Sequence, residues 1–191
     1  ISPSIIYLIM DVLSHGLWGT LYAKAANRKI AQPIKLRWAF LWGVFPDVLA
    51  FGPMFIMSTI WWVGGRPWMD HPKPTELEPW TPSTDTFSDF AQLLYQYSHS
   101  LIVFAIVIAV IYIVRRKIPW ILGPWLLHIL FDIPTHSYEF YPTPFLWPIS
   151  DLKFNGIRWS HWWFMILNYG ALLAVYLILR LKSSRKSGTV S

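Results

Sequence analysis

The sequence predicts an all-α integral membrane protein, a bundle of about five transmembrane helices, and three observations predict it. Hydrophobic residues make up 54% of the 191 and charged residues 14%, with a mean hydropathy of +0.39, well away from an ordinary soluble domain. Several uncharged or nearly uncharged runs are long enough to cross a hydrocarbon core about 30 Å thick. Lysines and arginines cluster beside those runs, as topology signals do, and thirteen tryptophans fit the interfacial belts of a membrane protein.

The first span covers residues 5–23 and ends in a basic loop with Lys24, Arg28, Lys29, Lys35 and Arg37, which places that loop in the cytoplasm. A second span, 38–63, leads into a Pro-rich, acidic loop with Asp70, Glu76, Glu78, Asp85 and Asp89, expected outside. The third, 90–114, ends at Arg115, Arg116 and Lys117 and returns the chain to the cytoplasm. The fourth, 118–133, should kink or end at Pro134, which lacks a backbone donor. Residues 135–160 are then external or dip back into the bundle. The last span, 161–181, ends among Arg180, Lys182, Arg185 and Lys186. The N-terminus lies outside and the C-terminus inside. Residues 1–182 form one helical domain and 183–191 a disordered basic tail. Ile1 is not a methionine, so processing, trimming or a start at Met10 is expected.

Composition narrows the function. With no cysteine there is no disulfide framework, thiolate ligand or Cys nucleophile, so a metal must be held by nitrogen and oxygen. A net charge of +6 and a pI near 9.6 do not indicate nucleic acid, because the basic residues sit in short clusters flanking the spans. Membrane lipids are the expected surroundings; the sequence leaves the oligomeric state open.

The ionisable residues inside the apolar runs are Asp11 and His15, Asp47, His99, and His128 with Asp132. No lysine or arginine lies among them. An ionisable group at bilayer depth costs roughly 2.5–3.5 kcal/mol and normally has a partner, and a set made only of metal-ligand types points to a metal cation. At about 1.5 Å per residue, His15, Asp47, His99 and His128 each fall roughly ten residues into their helices, so four helices bring a donor to the bilayer midplane. Asp11 with His15, and His128 with Asp132, are each four apart and share a helix face, as in bundle metalloproteins built from carboxylates and histidines.

Each residue also has a plainer reading. A lone intramembrane histidine is as readily a hydrogen-bonded packing residue, but His128 with Asp132 would then be two costly buried polar groups. A kink explains Pro46 without explaining Asp47. Asp11 is a carboxylate orienting a histidine, a general base, or a group near the external surface. His136 lies beyond Pro134 and out of helical register, His161 opens the last span near the interface, and His71 is solvated. Ser98 and Ser100 flank His99, and Thr135 and Ser137 flank His136; such hydroxyls orient ligands or bind substrate, or simply pack helices. No Gly-x-Ser-x-Gly elbow surrounds a serine.

These residues resemble the bacterial and archaeal inner-membrane metal-dependent hydrolases of the YdjM-like family. The shared outline is Ser14-His15-Gly16, Pro46-Asp47, Ser98-His99-Ser100, and His128-x3-Asp132 followed by Pro134-Thr135. The order also looks like the first part of the zinc-dependent phospholipase C pattern, in which the Asp of His-x3-Asp bridges two metals. The resemblance implies a prokaryotic inner-membrane location, Asp47, His99, His128 and Asp132 around one metal, and His15 sharing Asp132 at a second. The chain lacks a later His-x3-Glu or His-x3-Asp, since Met165 follows His161, and lacks His-Arg before Ser98.

The function expected is a membrane-embedded hydrolase in which one or two divalent ions, zinc before iron or manganese, activate water against a phosphoester or lipid-linked ester. Asp11 or Asp132 would relay the proton, with Ser98, Ser100, His136, Ser137 and His161 available to ligands or substrate. The alternative is a protein that transports protons or divalent cations through the same cluster, although no repeated halves of the transporter kind are evident. A third reading is a regulatory or interaction protein with a saturated structural metal.

Overall fold

The computed structural model describes residues 3–65, 86–138 and 141–187, with side chains at 3–10, 54, 57, 58, 61, 62, 86–89 and 183–187 left aside. His71 and the acidic loop at 70–85 lie outside the described residues, and the side chain of Asp89 does too. Among the described residues the fold is all-helical, without strands: α1 Pro3–Ala26, α2 Leu36–Val63, α3 Thr86–Ser98, α4 Leu101–Arg115, a 3-10 turn Trp120–Leu122, α5 Gly123–Thr135 and α6 Trp162–Ser187.

Several boundaries differ from the sequence expectation. Residues 90–114 are not one straight span. The helix breaks at His99 and Ser100, and the pieces Phe90–Ser98 and Leu101–Arg115 meet at 60°. The fourth expected span is a helix of 13 residues, about 20 Å long and too short to cross a bilayer alone. α6 continues to Ser187, five residues past the expected end of the domain. Among the described residues one helix, Trp162–Lys182, is by itself long and apolar enough to cross a membrane, and the bent α3–α4 pair passes only jointly. Five uninterrupted spans are therefore not found among the described residues.

Pro134 does not break the register as expected. α5 runs through it to Thr135, and the His136 amide still reaches the Asp132 carbonyl at 3.0 Å. A proline forfeits only its own i→i−4 bond, and the next turn closes without it. The Pro134 carbonyl finds a donor elsewhere, in the Ile157 amide at 2.9 Å.

By contact the chain divides into two compact units. The first comprises Ile1–Val44, Trp120–Leu127 and Trp159–Ser191. Its α1 meets the start of α2 along a seam of small residues: a side chain at Gly16 would run into the Phe40 ring, one at Gly19 into the Ala39 carbonyl, and one at Gly43 into the His15 carbonyl. Small residues of this kind let helix backbones approach closely. Asn27 closes the connection by a reciprocal pair of bonds with the Ile34 amide and carbonyl, 2.7 and 2.9 Å. Trp18 ties α1 to α6 by donating to Asn168 at 2.9 Å.

The second unit comprises Phe45–Pro119 and His128–Arg158. Its core is Ala50, Phe51 and Tyr95, with Phe55, Leu94 and Tyr141 packed against it. The rings of Phe51 and Tyr95 are 5.8 Å apart, and Tyr141 meets Phe51 edge-on at 5.1 Å. This cluster fixes the register of α2 against α3. Asp47 is one helical turn before Phe51 and His99 one turn after Tyr95, so each shares the face of its aromatic neighbour.

Residues 135–160 turn back against the helices that flank them. The Leu101 amide donates to the Phe145 carbonyl at 2.9 Å, and the Gly156 amide to the His136 carbonyl at 2.8 Å. The segment thus covers both the break before α4 and the end of α5.

Candidate metal centre

His99 occupies the break between α3 and α4, and the local chemistry accounts for the break. Ser100 is the N-cap of α4: its Oγ accepts from the amides of Ile102 and Val103 at 3.1 and 3.2 Å, as an N-cap serine does. The same hydroxyl donates to the Trp147 carbonyl. Ser100 therefore acts on the backbone, and the hydroxyl expected to serve a ligand or substrate is a helix cap.

His99 is fully enclosed, and its Nδ1 lies 2.9 Å from Ser98 Oγ and 3.2 Å from the Tyr95 carbonyl. A carbonyl only accepts, so Nδ1 carries a ring proton, and in the neutral ring Nε2 presents its lone pair. The Tyr95 ring lies against the imidazole with centroids 3.9 Å apart, and its hydroxyl donates to the Tyr141 carbonyl at 2.8 Å. Nothing in the sequence singles out Tyr95 except its spacing, four residues before His99 on one helix face.

Three donor atoms surround His99 Nε2. His99 Nε2 lies 3.1 Å from His128 Nε2, 3.5 Å from Asp47 Oδ1 and 3.3 Å from Asp132 Oδ2. His128 Nε2 lies 3.6 Å from Asp47 Oδ1 and 3.0 Å from Asp132 Oδ2. For a tetrahedral ion with ligands at 2.0–2.1 Å, neighbouring donors stand roughly 3.3–3.4 Å apart. The two histidine nitrogens thus stand near that spacing from each other and from each carboxylate. Asp47, His99 and His128 by themselves satisfy the spacing of a metal-binding group.

The donor set also fits a cation electrostatically. With His99 neutral and protonated at Nδ1, its contacts to Asp47 and Asp132 place acceptor against acceptor. A proton on His128 Nε2 can point at one neighbour at a time, whereas a cation satisfies both histidine nitrogens and the Asp47 carboxylate together. These buried His and Asp residues can therefore hold a metal ion.

His136 joins this group from the next turn of α5. It is buried, and its Nδ1 lies 3.2 Å from the Asp132 carbonyl and 3.9 Å from Asp132 Oδ1. His128, Asp132 and His136 thus form one i, i+4, i+8 row. Ser137 is buried one residue further on, and Thr143 is buried in the returning segment. Thr135 turns back on its own helix, donating to the Phe131 carbonyl at 2.8 Å.

The remaining expected site residues belong to the first unit. Asp11 and His15 are both buried there and face each other at 3.6 Å, Oδ1 to Nε2. Ser14 is buried beside them. His161 is exposed and stacks on Trp163 at 6.0 Å.

Replacing Ser98 with alanine removes one of the two groups that orient His99. Losing such a supporting group usually weakens metal affinity by about 10–100-fold. The expected result is about tenfold weaker zinc binding in a competition titration, with stoichiometry unchanged.

Protein-family models, curated proteins and solved structures were compared with this chain, and none matches it.

Proposed function

We propose that this protein is a membrane-embedded metal-dependent hydrolase, with one ion held by Asp47, His99, His128 and Asp132, acting on a phosphoester or lipid-linked ester. The observation that carries this reading is a pair of imidazole nitrogens 3.1 Å apart, each 3.0–3.6 Å from one oxygen of Asp47 and one of Asp132. A nitrogen and oxygen set of this size suits zinc, and iron or manganese next. The resemblance to the YdjM-like hydrolases points the same way.

When bound, a zinc ion supplies Lewis acidity: it polarises the ester oxygen and makes water a nucleophile near neutral pH. The chain supplies the rest. Tyr95 and Ser98 hold the His99 ring so that Nε2 faces the cluster. Asp132 turns Oδ2 toward the two histidines and Oδ1 toward His136 Nδ1, 3.9 Å away. His136 Nδ1 also lies 3.2 Å from the Asp132 backbone carbonyl, which holds the imidazole beside that carboxylate. His99 and His128 are sealed from solvent, while Asp47 and His136 retain 8% and 6% exposure.

The membrane part of the proposal is supported by what the helices leave outside. α4 exposes Ile106, Val110, Ile113 and Val114, and α6 exposes Ile166, Leu167, Leu173, Leu177 and Ile178. Contiguous apolar faces of that extent are costly in water and ordinary against lipid tails. A helix broken at a ligand is tolerated at membrane depth where the freed backbone groups are buried in protein, as the Leu101 amide is. A substrate with an acyl or isoprenoid tail fits such surroundings.

The test is hydrolysis of a panel of soluble and lipid phosphoesters by the detergent-purified protein, before and after chelation. Activity is expected to disappear with the metal and return with zinc, iron or manganese. Metal-dependent cation uptake by vesicles without hydrolysis would replace this reading with transport.

A further inference from the structure

The first unit contains a cleft of about 560 Å³ lined by Lys24, Asn27, Arg28, Tyr176, Leu179 and Arg180. It lies between the last turn of α1 and the later turns of α6. Three of its six lining residues are cationic, and no carboxylate lines it. The segments of this unit carry nine lysines and arginines against a single acid, Asp11. Asp11 is thirteen residues before Lys24 on the same helix, about 20 Å along its axis, and cannot neutralise the cluster.

Two contacts hold the cations in a concave arrangement. The Lys24 ammonium sits 4.5 Å above the centre of the Tyr176 ring. The Arg28 guanidinium donates to the Leu179 carbonyl, which engages one corner of the fork and leaves the other donors for an anion. Asn27 is occupied by Ile34 and serves as a wall. Charges needed only as topology signals have no reason to gather around a cavity.

We propose that this cleft binds the phosphodiester of an anionic phospholipid headgroup. A phosphodiester is singly charged, compact and rich in acceptors, which suits one ammonium and two guanidinium groups. Basic pockets between helices at the cytoplasmic surface take headgroups of this kind, and the positive clusters place the end of α1 and the end of α6 on that surface. The lipid as the source of the phosphate rests on the membrane reading above. The site itself is independent of the metal centre.

The experiment is native mass spectrometry of delipidated protein incubated with phosphatidylglycerol or phosphatidylcholine of matched acyl chains. The wild type is expected to retain phosphatidylglycerol preferentially. A surface cation is worth about fivefold in lipid affinity, so the double variant Lys24→Gln/Arg180→Gln should lose roughly 25-fold. Arg180→Gln alone, which leaves the Lys24 and Arg28 contacts intact, should lose about fivefold and serves if the double variant does not fold. Lys35→Gln/Arg37→Gln, with the same charge change outside the cleft, should retain the wild-type preference. Equal retention by all variants would overturn the proposal. So would stabilisation by millimolar inorganic phosphate without any lipid preference, which would assign the cleft to a soluble phosphate. His128→Ala should keep its lipid preference, so failure of the hydrolase reading and failure of this one are told apart.

Discussion

Alanine at His128 is expected to remove the metal altogether: elemental analysis should give about one equivalent of zinc in the wild type and almost none in the variant. Loss of a group that merely supports a ligand costs about 10–100-fold in affinity, so loss of a ligand in direct contact should exceed about 100-fold. Asp132→Asn should behave alike, because the amide offers no anionic oxygen to the pair of histidines 3.0 and 3.3 Å away. The stability order should also invert with metal. At a zinc concentration about 1,000 times its dissociation constant, the folded wild type gains about 4 kcal/mol, and it should melt above Asp132→Asn. After chelation the wild type keeps an enclosed cluster of charge that the amide does not, and replacing one member of such a cluster is often neutral or stabilising. The variant should then melt level with or above it. His161→Ala, at an exposed ring, should leave metal content at the wild-type value. A wild type that binds no zinc, iron or manganese even after reconstitution would sink the centre.

Gly156→Ala should produce the largest loss of stability from a single methyl group. A Cβ there would collide with the Pro134 carbonyl and approach the His136 carbonyl at 2.7 Å. Both obstacles are backbone, which has no rotamer to yield. The Gly156 amide bond to His136 and the Ile157 amide bond to Pro134, 2.8 and 2.9 Å, would be lost or lengthened. Overpacking and two weakened bonds sum to about 2–4 kcal/mol, read as a lower denaturation midpoint in detergent. Zinc affinity should fall as well, since His136 is carried by the same turn. Gly170→Ala is the control: nothing lies within 4 Å of its Cβ, and alanine in an exposed helix gains about 0.5–1 kcal/mol over glycine. Equal effects at the two positions would show that the returning segment does not pack on α5.

Much of the centre is legible in the sequence because its residue types are expensive where they stand. Asp47, His99, His128 and Asp132 interrupt apolar runs, and helical spacing puts His128 and Asp132 on one face. Counting depth along straight helices also leads to these residues, yet for His99 the premise fails, since the helix it is counted along is broken at that residue. Hydrophobicity reports how apolar a stretch is and does not report where a serine will cap a new helix. Ser100 reads equally as a packing hydroxyl or as a group for ligands, and only the arrival of residues 145–147 shows it to be a cap. His136 is named in the sequence only as a group available to ligands or substrate, out of helical register, for a related reason. Proline is expected to end the register, but a proline near a helix end forfeits one bond that the terminal turn does not need. Tyr95 goes unnoticed because an aromatic in an apolar helix carries no cost that demands explanation; its role lies in a backbone carbonyl, which every residue has. Periodicity does not say what the segment 135–160 packs against, and the bonds at Leu101 and Gly156 do.

The break at His99 has a consequence in time. A ribosome releases Asp47 first, His99 after a further fifty or so residues, and His128 and Asp132 later still, while the group that receives the Leu101 amide is at Phe145. Until that carbonyl emerges, the start of α4 has an open donor, and an uninterrupted helix through residues 98–101 would satisfy it locally. The ligand geometry is therefore a property of the chain only once Phe145 has emerged. Zinc offered before Phe145 has emerged meets a chain that cannot yet grip it, so metal acquisition follows the arrival of the returning segment.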